Sequence, residues 1–292
     1  MKYSTSFRSK IFDICNVLFL ASLALTMLLP LISVFAKSFS GSNAIAKGEV
    51  FFWPVEFTLI NYEYVFHDAS IWRAFLVSLV VTVGGTFINL LATTSLAYPL
   101  SRPEYKGKKI ILFMVLFTMI FSAPLIPSYL VVKNFGMVDT LWALIIPSMI
   151  SAFNFFVMRS FFLNIPSTLI DAARIDGLGE LGILFRIVLP LSKPVLATIG
   201  IFYGVSHWNS YQTALYYLND PKLYPLQVKL RQMIVNDEMS VESNSVYSTI
   251  ALNSPEGIQM ATVVIATLPI LLLYPFLQKH FVKGTMIGSI KE

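Results

Sequence analysis

Charge is scarce in this chain. Only 13% of its 292 residues are Asp, Glu, Lys or Arg, against about 25% in a soluble domain. With 56% hydrophobic residues and a mean hydropathy of +0.70, a soluble globular domain is excluded and one integral membrane domain fits the length. The single cysteine, Cys15, lies inside the first apolar run, so no internal disulfide can form. The three histidines, His67, His207 and His280, are far apart and show no metal-ligand spacing. A phosphate loop of the form Gly-x-x-x-x-Gly-Lys-Ser/Thr is absent. Its nearest fragment, Gly107-Lys108-Lys109, lacks the upstream glycine. A nucleophile elbow and a zinc-protease helix are absent too. The chain thus offers no site for a cofactor, and any ATP and Mg must be held by partner subunits. The net charge of +5 is scattered between apolar runs, which argues for topology signals and against a nucleic-acid surface.

What is abundant is long apolar sequence. Ile14–Phe35 is the first run, long enough to span, since about 20 residues cross the hydrocarbon. A signal peptide ending at Val34-Phe35-Ala36 is the rival, but the run exceeds the usual signal core of about 7–15 residues; an uncleaved anchor is expected. Residues 37–71 form a polar-aromatic segment with Trp53, Phe57, Tyr62 and Tyr64, rings that suit the membrane interface. Further spans are expected at Trp72–Leu100, Ile110–Val132, Leu141–Phe162, Val195 to about Leu218, and Met260–Phe281. Gly84-Gly85 permits a close helix approach. Pro124 and Pro127 interrupt the third span, and prolines there mark a bend or a cavity wall. The polar segment 219–257 carries Leu226, Leu230, Met233 and Ile234 at helical spacing. The fold class is therefore an all-α polytopic membrane protein with six transmembrane helices. Of the 21 Lys and Arg residues, 14 fall in the N-terminus, the 101–109 loop, the 159–194 segment and the tail, and 7 in the alternate segments. The richer side is cytoplasmic, which puts both termini and residues 166–194 there, in a multi-pass membrane protein.

Two stretches carry candidate chemistry. In the fifth span Tyr203, His207, Trp208, Asn209 and Tyr211 interrupt apolar sequence, and Asn154 does so in the fourth. His207 lies 13 residues past Pro194, about 20 Å along a helix, still inside a hydrocarbon layer of about 30 Å. Polar groups at that depth are costly and usually face a cavity. Aromatic faces with amide groups suit a sugar, which presents C–H faces and hydroxyls. A Trp-His belt at the outer interface remains the other reading of these residues.

The second stretch, residues 166–194, is charged and helix-forming without being long enough to span. Ser167 can cap a helix, Asp171 and Asp176 lie on it, and Gly177 can end it in a left-handed conformation. A second short helix is expected from about Gly179 to Ile187, and Pro190 and Pro194 introduce the next apolar run. Asp171-Ala172-Ala173, Asp176-Gly177 and Ile187-Val188-Leu189-Pro190 closely resemble the "EAA" coupling loop of ABC importer permeases, with Asp171 in place of the family's Glu. Ala97-Tyr98-Pro99-Leu100-Ser101-Arg102, Phe57-Thr58-Leu59-Ile60-Asn61-Tyr62 and Phe281-Val282-Lys283-Gly284 resemble the carbohydrate branch, and the resemblance covers roughly the last three quarters of the chain.

That resemblance implies a maltose-type smaller permease, with a cytoplasmic N-terminus at 1–13, a first helix and outer loop at 14–71, a permease core at 72–282 and a cytoplasmic tail at 283–292. It implies a coupling loop between helices 4 and 5 that docks into an ATPase dimer through Asp171, Ala172, Ala173, Arg174, Asp176, Gly177, Leu189 and Pro190. It also implies a second homologous permease, an extracytoplasmic solute-binding protein and an oligosaccharide moved by alternating access. The small Ala172 and Ala173 let a partner approach, and Asp171 can accept charge-assisted bonds from it. Three rivals remain: an ABC permease for a non-sugar solute, an ion-coupled secondary transporter and a structural scaffold. The secondary transporter would need carboxylates within the spans, and there are almost none: Asp13 is at a margin and Asp139 in a loop.

Overall fold

The structure is a computed structural model that describes the backbone of residues 7–240 and 254–288, and side chains for residues 9–235 and 254–272. Residues 241–253 of the outer segment, the ends of both termini and the side chains of Phe281-Val282-Lys283-Gly284 lie outside the described residues. Every regular element among the described residues is helical.

In chain order the helices are α1 (Phe7–Ser38), α2 (Ser42–Ala46), α3 (Ile60–His67), α4 (Ala69–Ser101), α5 (Lys108–Ile120), α6 (Leu125–Asn134) and α7 (Trp142–Ile145). A 3-10 turn, Ile146–Ser148, precedes α8 (Ala152–Leu163), α9 (Ser167–Ile175) and α10 (Glu180–Ile183). A π-helical turn, Leu184–Val188, leads into α11 (Leu189–Leu191) and α12 (Lys193–Trp208). Then come α13 (Gln212–Tyr217), a 3-10 turn at Pro221–Leu223, α14 (Leu226–Ser240) and α15 (Pro255–Gly288).

Among the described residues, three helical stretches are long and apolar enough to cross a bilayer: Ser9–Ser38, Ala69–Ser101 and Pro255–Leu272. Two more spans arise if bent pairs count as one each, namely Trp142–Ser148 with Ala152–Leu163, bent by 55°, and Glu180–Leu191 with Lys193–Trp208, bent by 82°. This corrects three expected spans. Ile110–Val132 is two helices of 13 and 10 residues, because Pro124 adopts φ −60°, ψ 157° and closes the first ladder at Phe121. Leu141–Phe162 is broken at residues 149–151. The fifth span ends at Trp208, where Asn209 caps α12, and not near Leu218. Pro269, by contrast, is accommodated within α15.

The chain divides into two compact units. The first comprises residues 1–69 and 230–268. Its join is built on Asn61, whose Nδ2 donates to the carbonyls of Ser38 and Ser40, both at 3.1 Å. Gly257 packs so closely that a Cβ there would stand 2.8 Å from the Asn61 amide. Lys37 and Glu256 pair at 2.5 Å, and Gln259 donates to the Met233 carbonyl. Most of α1 from Ile11 to Leu31 is exposed within this chain.

The second unit comprises residues 70–229 and 269–292. Its main core includes Phe155, Met158 and Phe162 of α8, Ile183, Val188, and Ile199 of α12. α4 and α12 approach most closely at Gly85, where a Cβ would stand 2.6 Å from the His207 ring, whereas a Cβ on Gly200 or Gly204 would make only ordinary contact with Leu90 and Thr86.

Candidate functional site

Two features of the second unit carry the candidate chemistry. The first is the loop from Pro166 to Pro194. Pro166, with its fixed φ of −55°, stands at the helix start of α9, and no side chain caps it; Ser167 is the first helical residue and not the cap. The other end matches expectation. Gly177 has φ +82°, its N–H donates to the Arg174 carbonyl, and the Leu178 N–H donates to the Ala173 carbonyl. These two bonds form the glycine-ended motif that satisfies the last free carbonyls of a helix.

The residues of α9 divide by face. Ile170 and Ala173 are buried in the core, whereas Asp171, Ala172 and Asp176 are exposed. Ala173 is thus set against its own subunit, and Ala172 is the small residue left facing outward. Leu189 is half-buried and Pro190 exposed. Pro190 has no N–H to give the Arg186 carbonyl, and the wider π turn at Leu184–Val188 makes room for its ring.

Arg174 is the centre of a polar brace that the sequence did not announce. Its guanidinium donates to Glu104 at 2.7 Å and to Glu180 at 2.8 Å. Glu180 also accepts from the Tyr98 hydroxyl at 2.7 Å. One arginine of α9 therefore joins the loop after α4, the start of α10 and the last turns of α4 itself. The Arg174 bond holds the Glu104 carboxyl below its ordinary value. The Glu180 carboxyl is lowered first by the Tyr98 hydroxyl and then by Arg174. Glu104, and after it Glu180, raise the Arg174 guanidinium further above its usual value. Asp171 is left almost free, 3.8 Å from Arg174 and 62% exposed. Tyr98 lies in the stretch that resembles the carbohydrate branch, which was the available signal; Glu104 and Glu180 had none.

The second feature is a polar cavity of about 460 Å³ among α4, the broken fourth span and α12. Of the expected path residues, Asn154, Tyr203 and His207 line it. Tyr203 and His207 are four residues apart and so share a face of α12. The Tyr203 hydroxyl meets Thr93 Oγ1 at 2.7 Å and accepts from the Ser151 N–H at 3.0 Å. Asn89 Nδ2 stands 3.0 Å from His207 Nε2 and 3.4 Å from the Ser148 carbonyl. With the amide donating, Nε2 accepts and the ring proton sits on Nδ1. Gly85 fixes the ring from beneath, since a Cβ there would lie 2.6 Å from Nε2.

Trp208 and Asn209 depart from expectation. Trp208, one residue round the helix, is 4% exposed and packs edge-on to Phe75 with centroids 5.7 Å apart. It lines a separate apolar cavity of about 510 Å³. Asn209 is exposed at the helix end and donates back to the Val205 carbonyl. In their place the structure brings Asn89, Ser148, Ser151 and Ser206 to the polar cavity. Asn89 was open to the argument that singled out Asn154, being an amide deep in an apolar span.

Apolar helices with broken spans, a polar cavity among them and a braced surface loop define a multi-pass membrane permease. The chain matches the family model of the binding-protein-dependent transport system inner membrane component over residues 104–287, and it belongs to that family. It is 44% identical over 287 residues to the polygalacturonan/rhamnogalacturonan transport system permease protein YtcP of Bacillus subtilis strain 168, covering 97% of this chain and 99% of that one. Protein LplC of the same strain is 44% identical over 282 residues, covering 97% and 95%. In structure the chain resembles one from a bacterial ABC transporter involved in the import of the acidic polysaccharide alginate, with a TM-score of 0.88, 34% identity and coverage of 94% and 98%.

Proposed function

We propose that this chain is a permease subunit of an ABC importer. With a second, homologous permease it forms the path for an oligosaccharide delivered by an extracytoplasmic binding protein. The two sugar-transport relatives, one at 44% and one at 34% identity, support the substrate class. ATP is hydrolysed on a partner ATPase dimer, not on this chain. The six spans are α1, α4, the α5–α6 pair, the α7–α8 pair, α12 from residue 195 onward and α15. Both termini and the 166–194 loop are cytoplasmic, as the 14-to-7 distribution of Lys and Arg supports.

The observation that carries the reading is the Arg174 brace. A loop that receives the stroke of an ATPase must pass it to a spanning helix, and Arg174 ties α9 through Glu180 to Tyr98 on α4. Asp171, Ala172, Asp176 and Gly177 face outward to meet the ATPase, Ala173 anchors α9 from within, and Leu189-Pro190 joins the loop to α12. Asn154, Tyr203 and His207 face the path. Replacing Arg174 by Ala tests the brace: in reconstituted vesicles the number of sugars moved per ATP falls while the complex still assembles. Unchanged coupling contradicts it.

A further inference from the structure

The fourth span breaks where the polar cavity lies. Residues 149–151 separate the 3-10 turn from α8, and the segments on either side differ in direction by 55°. Irregular backbone at membrane depth is tolerated only where it is buried in protein or lines a water-filled cavity. Here Ser148, Ile150, Ser151, Phe153 and Asn154 all line the cavity. Ser151 is the N-cap of α8, its hydroxyl accepting from the Asn154 N–H while its own N–H donates to the Tyr203 hydroxyl, so the break is held in place from both sides. A second observation is independent of the helix end. Asn89 is 1% exposed and lines the cavity, yet among the described residues its Oδ1 has no hydrogen-bond partner, and an unmet buried acceptor is costly. A third is the pair of rings. Phe153 and Phe202 both line the cavity, with centroids 6.2 Å apart and planes inclined at 51°. Among the described residues no Asp, Glu, Lys or Arg lines it.

We infer that this cavity is a saccharide subsite held by this subunit, an inference that rests on the oligosaccharide-importer reading. One pyranose ring seats its C–H face on Phe153 and Phe202. Its hydroxyls donate to Asn89 Oδ1 and accept from the Asn154 side-chain amide. A hydroxyl both donates and accepts, whereas an ionised carboxylate only accepts and leaves Asn89 unmet. The subsite therefore reads hydroxyls, and any carboxylate on the sugar faces another surface of the path. The volume of about 460 Å³ lies in the usual range of about 300–1,000 Å³ for small-molecule sites.

The test uses the full reconstituted complex with its binding protein, and labelled trigalacturonate and maltotriose as probes. At matched assembly and binding-protein occupancy, Phe202→Ala and Asn154→Ala each lower uptake about tenfold, and Phe202→Tyr restores it. With Cys15→Ser as background, Ser206→Cys reacts with a small water-soluble thiol reagent and is protected by the transported trisaccharide in the ATP-bound state. Parental uptake in both Ala variants, or labelling that the trisaccharide leaves unchanged, overturns the subsite. Failure of the parental complex to take up either trisaccharide contradicts the oligosaccharide reading itself.

Discussion

A guanidinium shared by two carboxylates gives the brace a defined pH range. Glu104 and Glu180 both have carboxyls lowered from an ordinary value of 4.5. A depressed carboxyl contributes stability that is fully present above the unfolded value and is lost as pH falls through the folded one. The brace is therefore intact across neutral pH and is released only in acid. Thermal unfolding of the purified complex checks this: parental and Glu104→Gln proteins differ by a constant amount above about pH 5, and the difference vanishes as pH falls below the lowered Glu104 value. A difference that vanishes near neutrality contradicts it. Gly85 makes a second prediction at this scale. Its Cβ would meet the His207 ring, while a Cβ on Gly84 meets nothing within 4 Å. Gly85→Ala should cost about 1–3 kcal/mol by overpacking. Gly84→Ala should be neutral or gain up to about 1 kcal/mol, because Ala is the better helix former. Equal melting temperatures for the two variants contradict the close packing.

Helix ends and helix breaks were legible to different degrees. The stop at Gly177 followed from one residue, because only a residue free to take φ near +82° permits the two bonds that close α9. Gly177→Val should cost about 1–2 kcal/mol from left-handed strain and should loosen the loop, so that ATP turnover rises relative to transport; coupling at the parental ratio contradicts this. The start of α9 was misread, since Ser167 looks like a cap but Pro166 already occupies that place. The breaks in the third and fourth spans were harder. Hydropathy averages over a window and is blind to one unmet carbonyl, so Ile110–Val132 reads as continuous although Pro124 divides it. The break in the fourth span follows Pro147, which has no N–H to continue a helical ladder. Residues 149–151, Met-Ile-Ser, do not give the angle of 55°, which depends on packing such as the Ser151 N–H donating to the Tyr203 hydroxyl. The same limit explains Trp208: its type fits a sugar, but its position on α12 turns it to Phe75.

For the molecule as a whole, composition alone identified a polytopic helical membrane protein, and the 166–194 motif identified the family. The Arg174 brace was not legible, because its acids lie 70 and 6 residues from Arg174, and only the fold joins them. Topology is checked by reporter fusions, which should place Pro103 and Leu178 in the cytoplasm and Ile45 and Lys222 outside. A fusion at Leu178 reporting outside contradicts the orientation and with it the docking of the loop. The central claim is that the path here is driven by ATP hydrolysed on a partner and delivered through the loop. Its most direct test is uptake of labelled oligosaccharide into vesicles holding the complete complex, with ATP inside or outside and no ion gradient. The account predicts uptake only when ATP is on the face that carries residues 166–194, and none when the partner ATPase cannot hydrolyse it. Uptake without ATP, driven by an imposed proton or sodium gradient, would contradict it.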